Sequence, residues 1–206
     1  MNHFSEQNEL IKFARDFVRN RIDSLEKDVR YCLRDKPQPS SPLDAPFPAL
    51  LYCFSTLDLL GSLSEGDASR NAKTPDNSKN YAQRFMNYTE DQGNLLIQIF
   101  RHKLVHLAQP KFVYHDSVKS RAITWRYYHD NQEEHLKIEK LPPNSKITIT
   151  SSWEIPVGYE FRVGIIQFMN DIKNSVERPG GYLHSLETIP DLQDRFKKAI
   201  EQIYGS

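Results

Sequence analysis

Apolar residues recur every three or four positions through much of the first hundred residues, which is the spacing of one face of an α-helix. Between residues 4 and 34 no proline interrupts this pattern, and the other positions are mainly Arg, Lys, Asp and Glu. The pattern predicts one long helix with a solvated outer face. Its apolar positions are Phe4, Leu10, Ile11, Ala14, Phe17, Val18, Ile22, Leu25, Val29 and Cys32.

A second run, from residue 48 to residue 64, is apolar almost all round, and such a helix belongs at the centre of a bundle. Asp58 lies inside this run. It is either an acid on the exposed edge or a buried acid that needs a basic partner. Gly61 either lets another helix approach closely or weakens the helix end. The apolar positions are Leu50, Leu51, Phe54, Leu57, Leu59, Leu60 and Leu63.

Two loops and two further helices complete the first half of the chain. Five prolines between residues 36 and 48 predict an extended loop. Residues 64–79 are rich in Gly, Asp, Ser and Asn and predict a second loop. A third helix is predicted over 79–90, and a fourth over 92–108, just before Pro110.

After Pro110 the period changes to the alternation that is typical of strands. The pattern predicts a small antiparallel sheet and then two helices. An all-helical half followed by strands indicates an α+β fold: a four-helix bundle over 1–110, with the sheet and two C-terminal helices of 111–206 packed on it as one unit. The predicted strands are 111–115, 122–128, 136–140 and 146–153, and the predicted helices are 157–177 and 189–204.

Composition narrows the class of protein. The 206 residues include 27 basic and 27 acidic ones. This balance argues against a protein covered in positive charge for non-specific nucleic-acid binding, but it is compatible with a local basic patch. Cys32 and Cys53 are the two cysteines, which argues against a disulfide framework. The N-terminus is polar, and we found no run of about 18 apolar residues. We therefore expect a cytoplasmic protein without a membrane segment.

The densest chemistry lies at the end of the fourth predicted helix. Arg101, His102, Lys103 and His106 fall within six residues. Histidine titrates near neutral pH and can take or give a proton. Arginine presents a permanent planar charge to phosphate oxygens. Nowhere else in the chain are an arginine, two histidines and a lysine packed into so short a segment.

The segment Arg101-His102-Lys103-Leu104-Val105-His106 resembles the R-polar-xxx-H signature of the HEPN superfamily (higher eukaryote and prokaryote nucleotide-binding domain). Its position in the last helix of a predicted four-helix bundle also resembles that family, as do Leu59-Leu60-Gly61 before a polar loop and Pro110 after the motif. The resemblance covers residues 1–110. Catalytic members of the family are metal-independent endoribonucleases that typically act as dimers, and many other members are not nucleases. For this chain the resemblance implies an endoribonuclease activity of the toxin or phage-defence kind.

The resemblance implies roles for particular residues. His106 would act as general acid or base on the ribose 2′-OH, and Arg101 would bind the phosphate. His102 stands where asparagine is common, and with Lys103 and Asp58 it would bind or orient the substrate. No cofactor or metal is implied. The implied partners are RNA, a second copy of the chain, and an antitoxin or other protein partner.

Other interpretations of the same residues stay open. On an ideal helix Arg101 and His106 project about 140° apart, so one helix alone does not aim both at one phosphate. Arg101 could instead pair with Asp58 across the bundle, and His106 could cap the helix. The protein would then be a non-catalytic domain that binds a nucleotide, nucleic acid or protein. His102 and His106 are spaced to share a metal ion, but no third ligand is evident.

The remaining candidates favour ordinary structural roles. Basic and aromatic residues interleave from Lys119 to Tyr128, which would suit base stacking, but an amphipathic strand with Trp125 and Tyr127 on one face explains them better. The other histidines are expected to be uninformative: His115, His129 and His135 facing solvent, and His184 in a loop.

Overall fold

The computed structural model describes residues 7–33, 45–107 and 110–205, and for residues 105–107 it describes the backbone without the side chains. Helices come first, then strands, then helices, so the α+β prediction is confirmed at that level. The predicted proline-rich loop lies outside the described residues as far as residue 44. The helices are α1 (Gln7–Leu33), α2 (Pro46–Glu65), α3 (Thr74–Phe85), α4 (Glu90–Leu95), a π-helical turn (Leu96–Arg101), α5 (His102–Leu107), α6 (Ile165–Glu177), α7 (Tyr182–Thr188) and α8 (Pro190–Tyr204).

Local sequence sets the ends of α2. Proline lies in its first turn, where the missing N–H has no partner in the helix to lose. Gly66 ends it in the left-handed conformation, with φ 70°, and its N–H donates to the carbonyl of Ser62. Both α1 and α2 match their predicted ranges within the described residues.

The next two helices begin at other positions than predicted. A proline in its first turn starts α3 at Thr74, so the loop predicted over 64–79 is shorter. The following helix, residues 90–107, is named the motif helix here and consists of α4, the π-helical turn and α5. A capping box starts it: the Thr89 hydroxyl accepts from the Gln92 N–H, and the Gln92 side chain accepts from the Thr89 N–H.

The apolar helix α2 lies at the centre of the molecule. It contacts α1 and α3 from its own half of the chain and also α6 and α8 from the other half. Within the described residues α2 alone is long and apolar enough to cross a membrane, with a mean hydropathy of 1.3, but 56% of that window is buried inside the protein. Its contacts are those of a core helix. The helical core therefore draws on both ends of the chain.

The main sheet is mixed, so the prediction of a wholly antiparallel sheet is wrong. Its order is β1-β2-β6-β3, and β2 runs parallel to β6. Residues 159–164 form β6, where a helix was predicted from 157, because an alternating strand passes without a break into the apolar start of α6. The strands are β1 (Tyr114–Asp116), β2 (Arg121–Tyr128), β3 (Ile138–Lys140), β4 (Lys146–Thr150), β5 (Trp153–Pro156) and β6 (Tyr159–Gly164).

The strand predicted over 146–153 is a hairpin. The chain turns at 151–152, and β4 and β5 pair with each other in a separate two-stranded sheet. Ile147 lies opposite Ile155, and Thr148 lies opposite Glu154. Most of the hairpin is exposed, so it is joined to the main sheet at its base and stands apart from the core.

The sheet packs on the motif helix through the aromatic face of β2. The Trp125 indole donates from Nε1 to the carbonyl of Lys111, at 2.8 Å, and its ring meets the Phe100 ring edge-on with centroids 5.5 Å apart. Phe47 covers Trp125 and Tyr127 from α2. Arg126 points to the opposite, exposed side. The amphipathic-strand interpretation of this segment is confirmed.

Candidate functional site

A π-helical turn carries Arg101 at its end. The N–H of His102 donates to the carbonyl of Ile97, five residues back, so the turn is wider than an α-helical one. Such turns are frequent at functional sites. Leu96, Ile97, Ile99 and Phe100 are buried against the core. These buried residues on both sides of Gln98 hold the backbone from which the Arg101 side chain projects.

Arg101 is bound by Asp58 of α2. Its Nε lies 3.1 Å and its Nη2 lies 3.0 Å from Oδ2 of the carboxylate. This side-on geometry uses one edge of the guanidinium and leaves Nη1 without a hydrogen bond to any described residue. The Arg101 side chain is 12% exposed and that of Asp58 is 17% exposed. The sequence-based alternative in which these two residues pair is confirmed.

Ser78 of α3 completes the coordination of the Asp58 carboxylate. Its hydroxyl donates to Oδ1 at 2.6 Å and lies 2.8 Å from the Thr74 carbonyl oxygen. Gly61 makes this contact possible, because a Cβ at Gly61 would lie 2.7 Å from the backbone nitrogen of Ser78. The close-approach interpretation of Gly61 is thus confirmed. No feature of the sequence identified Ser78, which fell inside the loop predicted over 64–79.

A small cavity of about 180 Å³ opens beside Asp58. Hydroxyl-bearing and small apolar side chains line it, and its volume suits a few waters or one small polar group. The lining residues are Asp58, Leu59, Ser62, Ala68, Ser69, Ala72, Thr74 and Ile203. The Asp58 carboxylate in the cavity wall already binds Arg101 and Ser78. Its negative charge is therefore balanced by the Arg101 guanidinium.

The other motif residues lie on the turn that follows Arg101. His102 is exposed and Lys103 is half-buried on α5. The backbone of His106 is helical, but its side chain lies outside the described residues, so the predicted acid–base role has no described geometry. The structure thus brings Asp58 to Arg101 and places two further basic side chains next to that pair in sequence.

A second charged cluster, which the sequence did not predict as a unit, lies at the start of the motif helix. Arg121 of β2 donates from Nη1 and Nη2 to both carboxylate oxygens of Asp91, at 3.0 and 2.7 Å, and from Nη2 to Asp116 at 2.7 Å. Lys119 also approaches Asp91, at 2.9 Å. These contacts hold the pKa of Asp91 below its usual range, with the Arg121 hydrogen bonds as the largest cause.

A cavity of about 320 Å³ adjoins this cluster, between the motif helix and the turn that joins β1 to β2. Its walls carry the carboxylate of Glu90 and those of Asp91 and Asp116, which Arg121 and Lys119 already neutralise. The arrangement ties the sheet to the motif helix through Asp91 and Asp116. We assign the cluster a structural role.

His135 was expected to face solvent, and this prediction is wrong. Its side chain is 3% exposed. The Gly164 N–H donates to Nδ1 at 3.0 Å, so the ring proton resides on Nε2, which lies 3.2 Å from Asp171 Oδ2. Tyr88 donates to the same oxygen at 2.8 Å, and burial followed by this carboxylate raises the pKa of Tyr88. Both nitrogens of His135 are occupied, so it cannot serve as a general base without breaking the network.

The remaining candidates behave mostly as expected. His115 and His129 are exposed, whereas His184 lies on α7 and not in a loop. Cys32 and Cys53 are free thiols, and burial raises the pKa of Cys53. Within the residues whose side chains are described, no group of three or more His, Cys, Asp or Glu could hold a metal ion.

Comparison with known proteins adds no relative to this picture. The chain matches no protein-family model, no curated protein and no solved structure. The function of this chain is therefore inferred from its residues and their geometry.

Proposed function

We propose that this chain is a HEPN-like, non-catalytic RNA-binding protein in which Arg101 anchors the motif helix to the core. The observation that carries the proposal is the commitment of the Arg101 guanidinium to Asp58, in a pair that is little exposed. A phosphate that sought the same edge of the guanidinium would have to displace a carboxylate held at 3.0 Å. Such a displacement would also leave Asp58 partly buried and unpaired, which is costly.

RNA would bind at the surface that lies beyond the Arg101–Asp58 pair. His102 is exposed and Lys103 half-exposed, directly after the anchored arginine. A cationic side chain such as that of Lys103 attracts phosphate groups in a salt-dependent way. Because the chain has equal numbers of basic and acidic residues, such attraction is restricted to local surfaces. RNA is the ligand that the resemblance to HEPN proteins implies.

A second candidate, a metal-independent endoribonuclease of the toxin or phage-defence kind, is favoured by one specific observation. Asp58 and Ser78 fix the orientation of Arg101 and leave Nη1 without a hydrogen bond among the described residues. An arginine held in this way is pre-organised to contact a phosphate through Nη1, with Asp58 as a positioning residue. His106 would then supply the acid–base step at a dimer cleft.

One set of variants separates the two candidates. Removing Arg101 alone leaves Asp58 unpaired and is expected to destabilise the fold by roughly 2–4 kcal/mol, so loss of function would be ambiguous. The double variant Asp58→Asn/Arg101→Gln replaces the ion pair by two neutral amides, of which asparagine has the shape of aspartate and glutamine is shorter than arginine. It leaves no unpaired charge, keeps an acceptor for Ser78, and is expected to fold. Urea unfolding would check this.

The wild type, the double variant, His106→Ala and Lys103→Gln would be assayed for cleavage and binding of a mixed RNA pool in EDTA. Our proposal predicts binding without cleavage, an unchanged affinity in the double variant, and weaker, less salt-sensitive binding for Lys103→Gln. Lys12→Gln, on the solvent face of α1, is the matched control.

Cleavage by the wild type that disappears in both the folded double variant and His106→Ala would establish the endoribonuclease and overturn our proposal. Failure of the wild type to bind RNA at low salt would overturn both candidates. The motif would then be a purely structural feature of the bundle.

A further inference from the structure

In the hairpin β4–β5, the outer edge of β4 is open. Besides the pairing of β4 with β5, the backbone groups of residues 146–150 make no hydrogen bond to another described residue. The chain reaches the hairpin through a narrow base, where the Val157 N–H donates to the Ser145 carbonyl at 2.9 Å. A two-stranded hairpin is marginally stable in water by itself, and pairing with a third strand normally supplies the additional stability.

The outer edges of β4 and β5 differ in how well they can pair with another strand. The outer edge of β5 is short and ends in Pro156, which has no N–H to offer, next to the charged Glu154. The outer edge of β4 carries Lys-Ile-Thr-Ile-Thr and no proline. An additional strand would therefore add to β4.

The sequence of β4 is nearly symmetrical about Thr148. If a second copy of β4 pairs antiparallel across a twofold axis at Thr148, Ile147 faces Ile149 of the second copy, and Lys146 faces Thr150 of the second copy. No like charges oppose each other in this register. Ile147 and Ile155 already pair on one face, and the β4–β5 register shifts beyond Thr148, so the four strands would carry two neighbouring rows of three isoleucines each.

Charge favours a second copy over a nucleic acid as the occupant. The hairpin has one cation and one anion, Lys146 and Glu154, and they bind each other at 2.6 Å. A neutral edge with Thr and Ile side chains offers phosphates little attraction. It fits another neutral strand, and a copy of itself supplies the matching length and register.

We propose that this chain forms a twofold-symmetric dimer by antiparallel pairing of β4 with β4 of a second copy, centred on Thr148. The interface is separate from the Arg101–Asp58 pair and does not depend on the proposed RNA binding. It joins two hairpins into one four-stranded sheet, which satisfies the open edge of each.

A charge swap at the twofold axis tests this dimer. Thr148→Lys places two ammonium groups opposite each other in the dimer, whereas within one chain the new side chain lies opposite Glu154 and leaves the fold intact. Thr148→Glu is made together with Glu154→Gln, so that no two carboxylates oppose each other within one chain, and it has the same effect on the dimer with the opposite sign. We expect each variant to weaken dimerisation by roughly tenfold or more in sedimentation velocity, and an equimolar mixture of the two to restore the dimer.

Ser152→Lys is the matched control, because it adds the same charge in the exposed turn outside the paired register. It should leave the dimer unchanged. Hydrogen exchange should show protection of amides in 146–150 for the wild type and the mixture, and loss of it for the single variants. A monomeric wild type, a dimer that survives Thr148→Lys, or a mixture that stays monomeric would each overturn the proposal.

Discussion

Arg101 and Asp58 lie 43 positions apart in the chain, yet they pair in the fold, and this pair fixes the orientation of the Arg101 guanidinium. The sequence left open whether Asp58 is an acid on the exposed edge or a buried acid that needs a basic partner, since a buried acid is costly unless it is paired. Arg101 was a candidate partner, and the geometry shows that the two residues pair. Ser78, by contrast, had no signal at all, because a serine gains its role from what lies opposite.

A prediction at the residue scale concerns acid stability. Arg121 holds the pKa of Asp91 below its unfolded value of about 3.9, so the folded state binds this proton more weakly. The resulting stabilisation is fully present above the unfolded pKa and is lost as the pH falls through the folded pKa. Asp91→Asn should therefore lower the free energy of unfolding near neutral pH by about 1–2 kcal/mol, and should reduce its further fall on acidification.

Urea unfolding near neutral pH and at about pH 3 measures both effects. The exposed Asp23 on α1 provides the control, since Asp23→Asn should change neither the stability nor its pH dependence appreciably. An Asp91→Asn protein with the same acid response as the wild type would show that the Arg121 cluster does not contribute in this way.

At the scale of elements, two close packings position the site. The π-helical turn seats Arg101 at its end, and Gly61 lets α3 approach α2 until Ser78 reaches Asp58. A glycine inside a helix lowers helix stability by itself. Its value here comes from the space it leaves for the backbone of the neighbouring helix.

Gly61→Ala is therefore expected to destabilise the protein. Its Cβ would meet backbone atoms of Asn77 and Ser78 at 2.7 Å, and relieving such overpacking typically costs about 1–3 kcal/mol. This outweighs the roughly 1 kcal/mol that alanine gains over glycine in an ordinary helix. Thermal or urea unfolding would show the net loss.

Gly93→Ala is the matched comparison in the motif helix. A Cβ there meets a single flexible atom, Cγ of Lys79, at 3.3 Å. This variant should be neutral or slightly more stable. If both alanine variants behaved alike, the close approach at Gly61 would not be the reason for the glycine.

For the whole molecule, the decisive feature is that helices from both ends of the chain share one core. The ring of Phe54 on α2 packs on that of Phe168 on α6 with centroids 5.1 Å apart, and Tyr81 on α3 packs on Tyr182 on α7. Lys173 of α6 binds Glu26 of α1 at 2.7 Å. The core thus crosses the boundary that the change of period suggested near residue 110.

A fragment of residues 1–110 should consequently fail to fold cooperatively. It would expose the faces of α1 and α2 that α6 and α8 cover, and each large apolar side chain exposed costs about 1.5–3 kcal/mol. We expect a broad urea transition and loss of near-ultraviolet circular dichroism.

The control deletes the hairpin and leaves the core intact. Replacing residues 146–156 by two glycines joins Ser145 to Val157, whose backbones already share a hydrogen bond. This protein should unfold as sharply as the complete chain. A cooperatively folded 1–110 fragment would show that the first four helical segments form a self-sufficient unit.

Much of the fold could be predicted where local pattern carries the information. The ranges of α1 and α2, the alternation of β2 and the α+β order followed from periodicity. The strand β6 could not be predicted, because its apolar positions run on into α6 and either period fits the joint segment. The prediction that His135 faces solvent was wrong because its burial depends on Gly164 and Asp171, which are distant in sequence.

By itself, the sequence determined most of the helical segments, which helix is central, and that the segment from Arg101 to His106 lies towards a helix end, since these follow from short-range periodicity and residue type. Only the tertiary structure decided that Arg101 binds Asp58 and Ser78, that β2 runs parallel to β6, and that α6 and α8 complete the core around α2. These are contacts between distant segments, and they are selected by the joint packing of the whole chain.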